Sequence, residues 1–368
     1  MKKMSASNTY VSRRVACLRE ALRKRGVQGL LVTAVEDVGY LSGFSGDDSW
    51  LVASGVRPCL LTDFRYEEQA DRECPEIERV IRRGQMIEAL AKVVRRRKIA
   101  RLGFDPDAVS VGLMERLHKG LKGVRLEPVK GVVTGMRIRK DASEIAAIRK
   151  AVAVAAEGWA EFRKHVRLGM TERHLAAEID HQMRLAGADA LAFPTIVGIN
   201  ATAAMPHAHP GDKRLKTGDV LLVDFGARVG GYVCDLTRVL VAGRIPPRVR
   251  KVYDLVHRAQ AAGIAAVRPG AAFTEVDAAA RNVIADAGHG EVFRHGLGHG
   301  IGRLVHEAPA LGPTAPQGCL EPGMVITIEP GVYLRGRFGI RIEDDVLVTP
   351  TGHEVLTRVE KDLEAMVL

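Results

Sequence analysis

Residues 218–240 read GDVLLVDFGARVGGYVCDLTRVL, two runs rich in Val and Leu joined through Gly230-Gly231. That dipeptide suits a two-residue hairpin turn. With the two glycines as the loop, Val229 opposes Tyr232, Asp224 faces Thr237, and Asp235 is the diagonal neighbour of Asp224 on one face. Diagonal neighbours lie roughly 7–8 Å apart at the backbone, so two inward-leaning carboxylates could hold ions between them. Asp224 sits between Val223 and Phe225 in an apolar strand, where a lone carboxylate would be very costly. It needs something positive beside it. Arg238, a buried water network and a metal ion all meet that need.

The chain around this ribbon has 368 residues, room for two domains at the usual size. Its 46% hydrophobic and 27% charged content is that of a globular protein with a sizeable core. The start, MKKMSASNTY, has no apolar stretch behind its lysines, so no secretory signal is expected. No apolar run approaches the roughly 20 residues of a membrane span. Cys17, Cys59, Cys74, Cys234 and Cys319 are scattered, without a C-x-x-C pair. Reduced thiols in a cytoplasm are expected rather than a disulfide framework. The formal charge is +10, and residues 1–130 hold 25 Lys and Arg against 17 Asp and Glu. Arg95-Arg96-Arg97-Lys98 is the densest run and follows the helix-like IEALAKVV. It reads as a solvated helix end. A nucleic-acid surface is not expected, because no binding motif accompanies it.

The first third alternates in the α/β manner. Helices are expected over 12–25, 63–74, 86–97 and 109–121, and strands over 30–34, 49–53, 58–62, 99–104 and 124–128. These make a mixed-sheet domain of residues 1–130, closed by Gly131, Gly135 and the polar RIRKDASE stretch. Residues 131–368 form the second domain, and within it the pattern repeats. A helix over 142–166 leads to LGMTERHLAAEIDHQMRLAG, and one over 248–267 leads to RPGAAFTEVDAAARNVIADAG. Thr171 and Thr274 read as the N-caps of the helices that follow. A ribbon follows each unit, Asp224/Asp235 in the first and Glu329/Glu343 in the second, over 324–329 and 339–349. A pseudo-symmetric fold would converge four carboxylates on one axis.

Before the second ribbon lies HGLGHGIGRLVHEAPALGP, with His295, His299 and His306. Glycines at 296, 298, 300 and 302 let backbone and imidazoles crowd a centre. An isolated histidine is usually structural, and Glu307 and Asp345 taken singly carry no more weight than that. Asp224, Asp235, His299, Glu329 and Glu343 together differ: four carboxylates balance two divalent cations, and one imidazole completes the set. Two such ions roughly 3.5–4 Å apart can clamp and ionise a water while polarising a carbonyl. Mostly oxygen ligation favours Mn²⁺, with Co²⁺, Fe²⁺ and Zn²⁺ as other candidates.

The stretches VDFGA, CDLTR, HGLGHGIG, ITIEPG and GIRIED resemble the five metal-ligand motifs of the pita-bread metallopeptidases. That family includes methionine aminopeptidase, aminopeptidase P and prolidase. The resemblance spans nearly all of residues 131–368, in order. It implies an α+β protein with a pita-bread catalytic domain behind a smaller mixed α/β domain. It makes Asp224, Asp235, His299, Glu329 and Glu343 the ligands of a dinuclear site, Asp235 and Glu343 bridging, with Glu329 partner to the attacking water. His207 in AMPHAHP matches the family's PH motif and implies a substrate contact. His295 matches the first histidine of HxxGH, His306 the later one before HEAP, and Arg341 an arginine of prolidase-like members.

The front domain separates the branches. GYLSGFSG and LLTDFRYEEQA resemble segments of prolyl peptidases, which implies cleavage of peptides with proline in second position and a homodimer whose front domain covers the partner's cleft. Asp47-Asp48-Ser49-Trp50 departs from the usual pattern there. The other readings are a pita-bread peptidase without proline specificity, such as a methionine-aminopeptidase-like enzyme, and a non-enzymatic binding protein of the same fold. Binding proteins of this fold lose ligands, and this chain retains all five.

Overall fold

Short apolar runs bounded by helices produce a sheet buried on both faces. In the computed structural model, which describes residues 6–55 and 57–368, the first unit contains β1 (Gly29–Val32), β2 (Trp50–Ser54), β3 (Cys59–Asp63), β4 (Glu78–Arg82), β5 (Arg101–Phe104) and β6 (Arg125–Pro128). Their order is β4-β3-β2-β1-β5-β6. The sheet is mixed, since β2 runs antiparallel to β1 and β3 while β4, β5 and β6 pair in parallel with their neighbours. Alternate residues feed two cores. Leu30, Val32, Leu51 and Leu60 pack with α1 (Ala6–Lys24) and α2 (Val35–Ser42). Leu31, Val52, Cys59 and Leu61 pack with α4 (Met86–Arg96) and α5 (Val111–Gly120). A short helix, α3 (Glu67–Glu73), precedes β4.

Two elements here were not anticipated. No element is expected over 35–42, yet α2 runs through the start of GYLSGFSG to Ser42 and stops at Gly43, whose φ of +79° is the left-handed C-cap conformation. The edge strand β4, ERVIR, is half exposed throughout and lacks an apolar run. Trp50, inside the strand expected over 49–53, opens β2 opposite Leu61. The basic run is the end of α4, where Arg96 and Arg97 both pair with Glu78.

The first unit ends at Arg137 rather than at 130, because α6 (Val132–Arg137) buries Val132 and Val133 in the same core as α1. Each buried valine contributes roughly 1.5 kcal/mol or more. Arg137 also pairs with Asp37 of α2 at 2.6 Å, both side chains buried.

The second unit, Ile138–Leu368, is built on two helix pairs, α7 (Ala142–His165) with α8 (Glu172–Leu185), and α9 (Pro247–Ala266) with α10 (Phe273–Asp286). Each pair covers its own core. Between them run β7 (Ala190–Leu191), β8 (Ile196–Ile199), β9 (Val220–Phe225), β10 (Ala227–Val229), β11 (Tyr232–Val233) and β12 (Leu236–Val241). After the second pair come β13 (Gly298–Gly300), β14 (Glu307–Leu311), β15 (Val325–Ile328), β16 (Gly331–Leu334), β17 (Phe338–Arg341), β18 (Asp344–Thr349) and β19 (Gly352–Val355). The central sheets are β12-β9-β8 and β14-β13-β15-β18-β19. Leu221, Val223 and Phe225 face the core of α7 and α8. Val220 and Leu222, with Val239 and Val241 of β12, face that of α9 and α10. No helix among the described residues is long and apolar enough to cross a membrane.

Gly230 and Gly231 have φ of +59° and +80°, the pair of positive values a type I′ hairpin turn demands. The expected register follows: Val229 pairs with Tyr232 and Asp224 with Thr237. Thr171 caps α8, accepting the His174 N–H. The N-cap of α10, however, is Ala272, not Thr274, and the Glu275 carboxylate reaches back to the Ala272 N–H at 3.4 Å. The single strand expected over 339–349 breaks at Ile342-Glu343, where the chain passes from the β16–β17 ribbon to the five-stranded sheet.

Candidate metal centre

That break puts Glu343 beside the first ribbon. Its backbone N–H donates to the Thr237 carbonyl at 3.3 Å, and the Thr237 hydroxyl donates to Glu343 Oε2 at 2.6 Å. Asp235 comes from the other side. Its N–H donates to Asp345 Oδ2 at 3.1 Å. Asp235, His299 and Glu343 thereby each present one potential ligand atom, all within 4.8 Å of one another. His299 Nε2 lies 3.8 Å from Asp235 Oδ2 and 3.3 Å from Glu329 Oε1.

Gly298 and Gly300 are what let His299 reach this place. A Cβ at Gly298 would lie 2.0 Å from the Thr327 carbonyl, and one at Gly300 2.1 Å from the Ala308 carbonyl. The Thr327 hydroxyl accepts the His299 N–H at 3.1 Å and donates to Glu329 Oε1 at 3.2 Å, so one side chain sets both residues. Nδ1 of His299 faces the Gly300 carbonyl at 3.1 Å, an arrangement that turns Nε2 toward the carboxylates, as a donor to Glu329 here and as the lone-pair nitrogen for an ion bound there.

Asp224 is held differently. Arg341 donates to its Oδ2 at 2.6 Å, to the Thr237 hydroxyl at 2.9 Å and to the Tyr333 hydroxyl at 2.9 Å. Arg341, rather than Arg238, is therefore its positive partner. Arg238 is fully buried and serves Asp344 at 2.7 Å. The Tyr333 hydroxyl also meets His295 Nε2 at 2.9 Å, so His295, Tyr333, Arg341 and Asp224 form one chain. His306 packs edge-on against His299, ring centroids 4.3 Å apart. His207 is exposed, on the loop after β8, close enough for its charge to act on His306. Sequence reasoning singled out neither Thr237 nor Tyr333, and it passed over Asp345. Asp345 was findable, since it lies two residues beyond Glu343, the spacing of one strand face.

The electrostatics are those of too many carboxylates in too little water. Burial, then Glu343, Asp224 and the other neighbouring carboxylates, push Asp235 well above the ordinary range. Burial and then Glu329 and Asp224 do the same to Glu343. Burial raises Asp224 despite Arg341, and lifts Asp345 to about 8. Glu329 goes the other way. Burial opposes its charge, but the hydrogen bond and charge of His299 bring it down to about 2. His299 is raised, Glu329 outweighing its burial. His295 and His306 are lowered, chiefly by burial.

One oxygen each of Asp224, Asp235, Glu343 and Asp345 is buried without a hydrogen-bond partner. Such atoms are costly. A divalent cation satisfies them and reverses the pressure toward protonation, so the residues present fit bound metal.

The model of "Metallopeptidase family M24" matches residues 146–350, and that of "Creatinase/Prolidase N-terminal domain" matches residues 14–139. A Xaa-Pro dipeptidase of Pyrococcus horikoshii is 32% identical over 96% of this chain and 99% of its own. The structure of a Xaa-Pro dipeptidase from Bacillus anthracis superposes with a TM-score of 0.92 at 34% identity, covering 97% of this chain and 100% of that one. That of an X-Pro aminopeptidase from Thermotoga maritima gives 0.89 at 35%, covering 95% and 100%. The fold is the α+β pita-bread arrangement behind a creatinase-type front domain, and the family implies divalent metal. With a family model matched over more than half its length and relatives above 30% identity along nearly all of it, the chain belongs to metallopeptidase family M24.

Proposed function

We propose that this chain is a metal-dependent Xaa-Pro peptidase, cleaving the bond between an N-terminal residue and a following proline. The observation that carries the reading is the convergence of Asp235, His299 and Glu343 within 4.8 Å, with Glu329 on His299 and orphaned carboxylate oxygens facing inward. Its relatives named as Xaa-Pro dipeptidases, similar from end to end, support the proline specificity.

Asp224, Asp235, His299, Glu329 and Glu343 are the residues that would hold two divalent ions. Oxygen-rich ligation favours Mn²⁺. Bound there, such ions would supply hydroxide at neutral pH and polarise the scissile carbonyl. The protein's own groups do the rest. Glu329 takes the proton of the attacking water and passes it to the leaving proline nitrogen. His207 and His306 contact the peptide and donate to the carbonyl oxygen as it gains charge. His295 and Arg341, joined through Tyr333, bind and orient from the side of Asp224. The assembly read for this chain is a homodimer in which the 43–48 loop roofs the partner's cleft. Five free cysteines support a reducing compartment, and the cytoplasm is the location taken.

The test is hydrolysis of Xaa-Pro dipeptides and Xaa-Pro-Xaa tripeptides by protein loaded in turn with Mn²⁺, Co²⁺ and Zn²⁺. Cleavage confined to bonds preceding proline is expected. Equal cleavage of Xaa-Ala peptides would favour a pita-bread peptidase without proline specificity.

A further inference from the structure

His306 ends a turn that leaves β13 at Gly300 and enters β14 at Glu307, and the side chain of Glu307 folds that turn from within. Its Oε1 accepts the Arg303 N–H at 2.8 Å and the Leu304 N–H at 3.0 Å. Its Oε2 lies 3.5 Å from Nζ of Lys140, and the two side chains are only 7% and 1% exposed. Lys140 Nζ also donates to the Ile138 carbonyl at 3.3 Å. Gly302 makes the space, for a Cβ there would lie 2.7 Å from Oε2. The far side of the turn is tied to the metal ribbon. Val233 N–H donates to the Gly302 carbonyl at 2.8 Å, and Arg228 donates to the Arg303 carbonyl at 3.0 Å.

A buried carboxylate accepting two backbone N–H groups is a strong, charge-assisted anchor. A buried ammonium beside it, Lys140 Nζ at 3.5 Å, complements its charge. The anchor acts on Arg303 and Leu304, three and two residues before His306, while the carboxylate's own backbone is the next residue after it. The imidazole is thus bracketed by a fixed turn on one side and the start of β14 on the other. We propose that Glu307, held in place by Lys140, is a positioning residue for His306 and fixes that ring against His299 at the metal centre. The proposal deepens the Xaa-Pro peptidase reading, on which the role of His306 rests.

The experiment uses the metal-loaded full chain and the variants Glu307→Ala, Glu307→Gln, Lys140→Met, His306→Ala and the double variants with His306→Ala. Hydrogen exchange read at Arg303 and Leu304 reports the anchor without reference to activity. Both amides lose protection in Glu307→Ala and keep more of it in Glu307→Gln, whose amide oxygen still accepts. Glu307→Ala lowers kcat by about 10–100-fold, the scale of losing an outer-shell partner, with KM and metal content near the parent. Lys140→Met acts in the same direction and less. In the His306→Ala background, neither Glu307→Ala nor Glu307→Gln lowers kcat further. If the double variants lose the full product of the single losses, Glu307 acts on something other than His306 and the proposal falls. Unaltered protection of the two amides in Glu307→Ala overturns it whatever peptide the enzyme cleaves. Absence of Xaa-Pro cleavage by the parent protein would instead strike the peptidase reading, with the exchange result standing apart from it.

Discussion

The molecule contains two clusters of acidic residues, and they are solved in opposite ways. In the first unit Asp63 and Asp48 meet Arg65 and Arg82. Arg82 lies 2.8 Å from both carboxylates and Arg65 2.8 Å from Asp63. Charges cancel, and the Arg65 hydrogen bond brings Asp63 down to about 2. In the second unit Asp224, Asp235, Glu329, Glu343 and Asp345 meet one arginine and one metal-capable histidine, and all but Glu329 are driven up. A cluster that carries its own cations is complete as folded. One that gathers carboxylates faster than cations is built to take cations from solution.

Breaking the second cluster should have the largest effect. Asp235→Asn and Glu343→Gln each remove a carboxylate from the group that converges with His299. Metal affinity, read by titration of the chelated protein, should fall by more than the roughly 10–100-fold of an outer-shell change, and peptide hydrolysis should fall with it. Retained affinity in either variant would place the ions elsewhere. Next in size are His207→Ala and His306→Ala, which should lower kcat by roughly 10²–10³ while elemental analysis finds metal content unchanged. A metal-free His306→Ala protein would reassign that ring as a ligand.

The pH dependence sharpens the contrast, because Asp235, Glu343 and Asp345 carry the sign opposite to that of Asp63, a sign Glu329 shares with Asp63. Asp235, Glu343 and Asp345 bind protons more tightly folded than unfolded. The metal-free second unit should therefore lose stability as pH rises from about 4, the ordinary carboxylate value, through about 8 for Asp345. Asp63 is depressed, so its contribution is present above about 4 and is lost as pH falls toward about 2. Hydrogen exchange resolved by unit reads both trends. Metal loading at pH 7 should also release protons, measurable by calorimetry in buffers of different ionisation enthalpy, and zero release would contradict the raised carboxylates. The smallest effect belongs to Arg82→Met, a partly exposed pair whose loss should cost about 1 kcal/mol with metal content unchanged.

Much of the centre was legible because its information is local. Gly230-Gly231 dictates a hairpin, the hairpin dictates the register, and the register sets Asp235 diagonal to Asp224. The glycines around His299 announce a crowded backbone in the same way. What escaped was long-range. Arg238 and Arg341 are indistinguishable as partners for Asp224 until the fold brings Arg341 across 117 positions and gives Arg238 to Asp344. Tyr333 looks like an ordinary strand tyrosine, and only the fold sets its hydroxyl between His295 and Arg341. The helix at Val35–Ser42 and the strand at Glu78–Arg82 were hidden because their glycines and charges resemble loop chemistry. The N-cap of α10 was misplaced because Thr274 has the right side chain, while Glu275 reaching back to Ala272 does the capping.

If the second cluster is incomplete without divalent cations, peptide hydrolysis depends on them. The direct measurement is Xaa-Pro hydrolysis by protein stripped of metal, with residual metal quantified in the same sample, followed by stepwise return of Mn²⁺. No turnover is expected in the stripped protein, with recovery that saturates near two ions per chain. Full turnover in a sample verified to be metal-free would contradict that dependence.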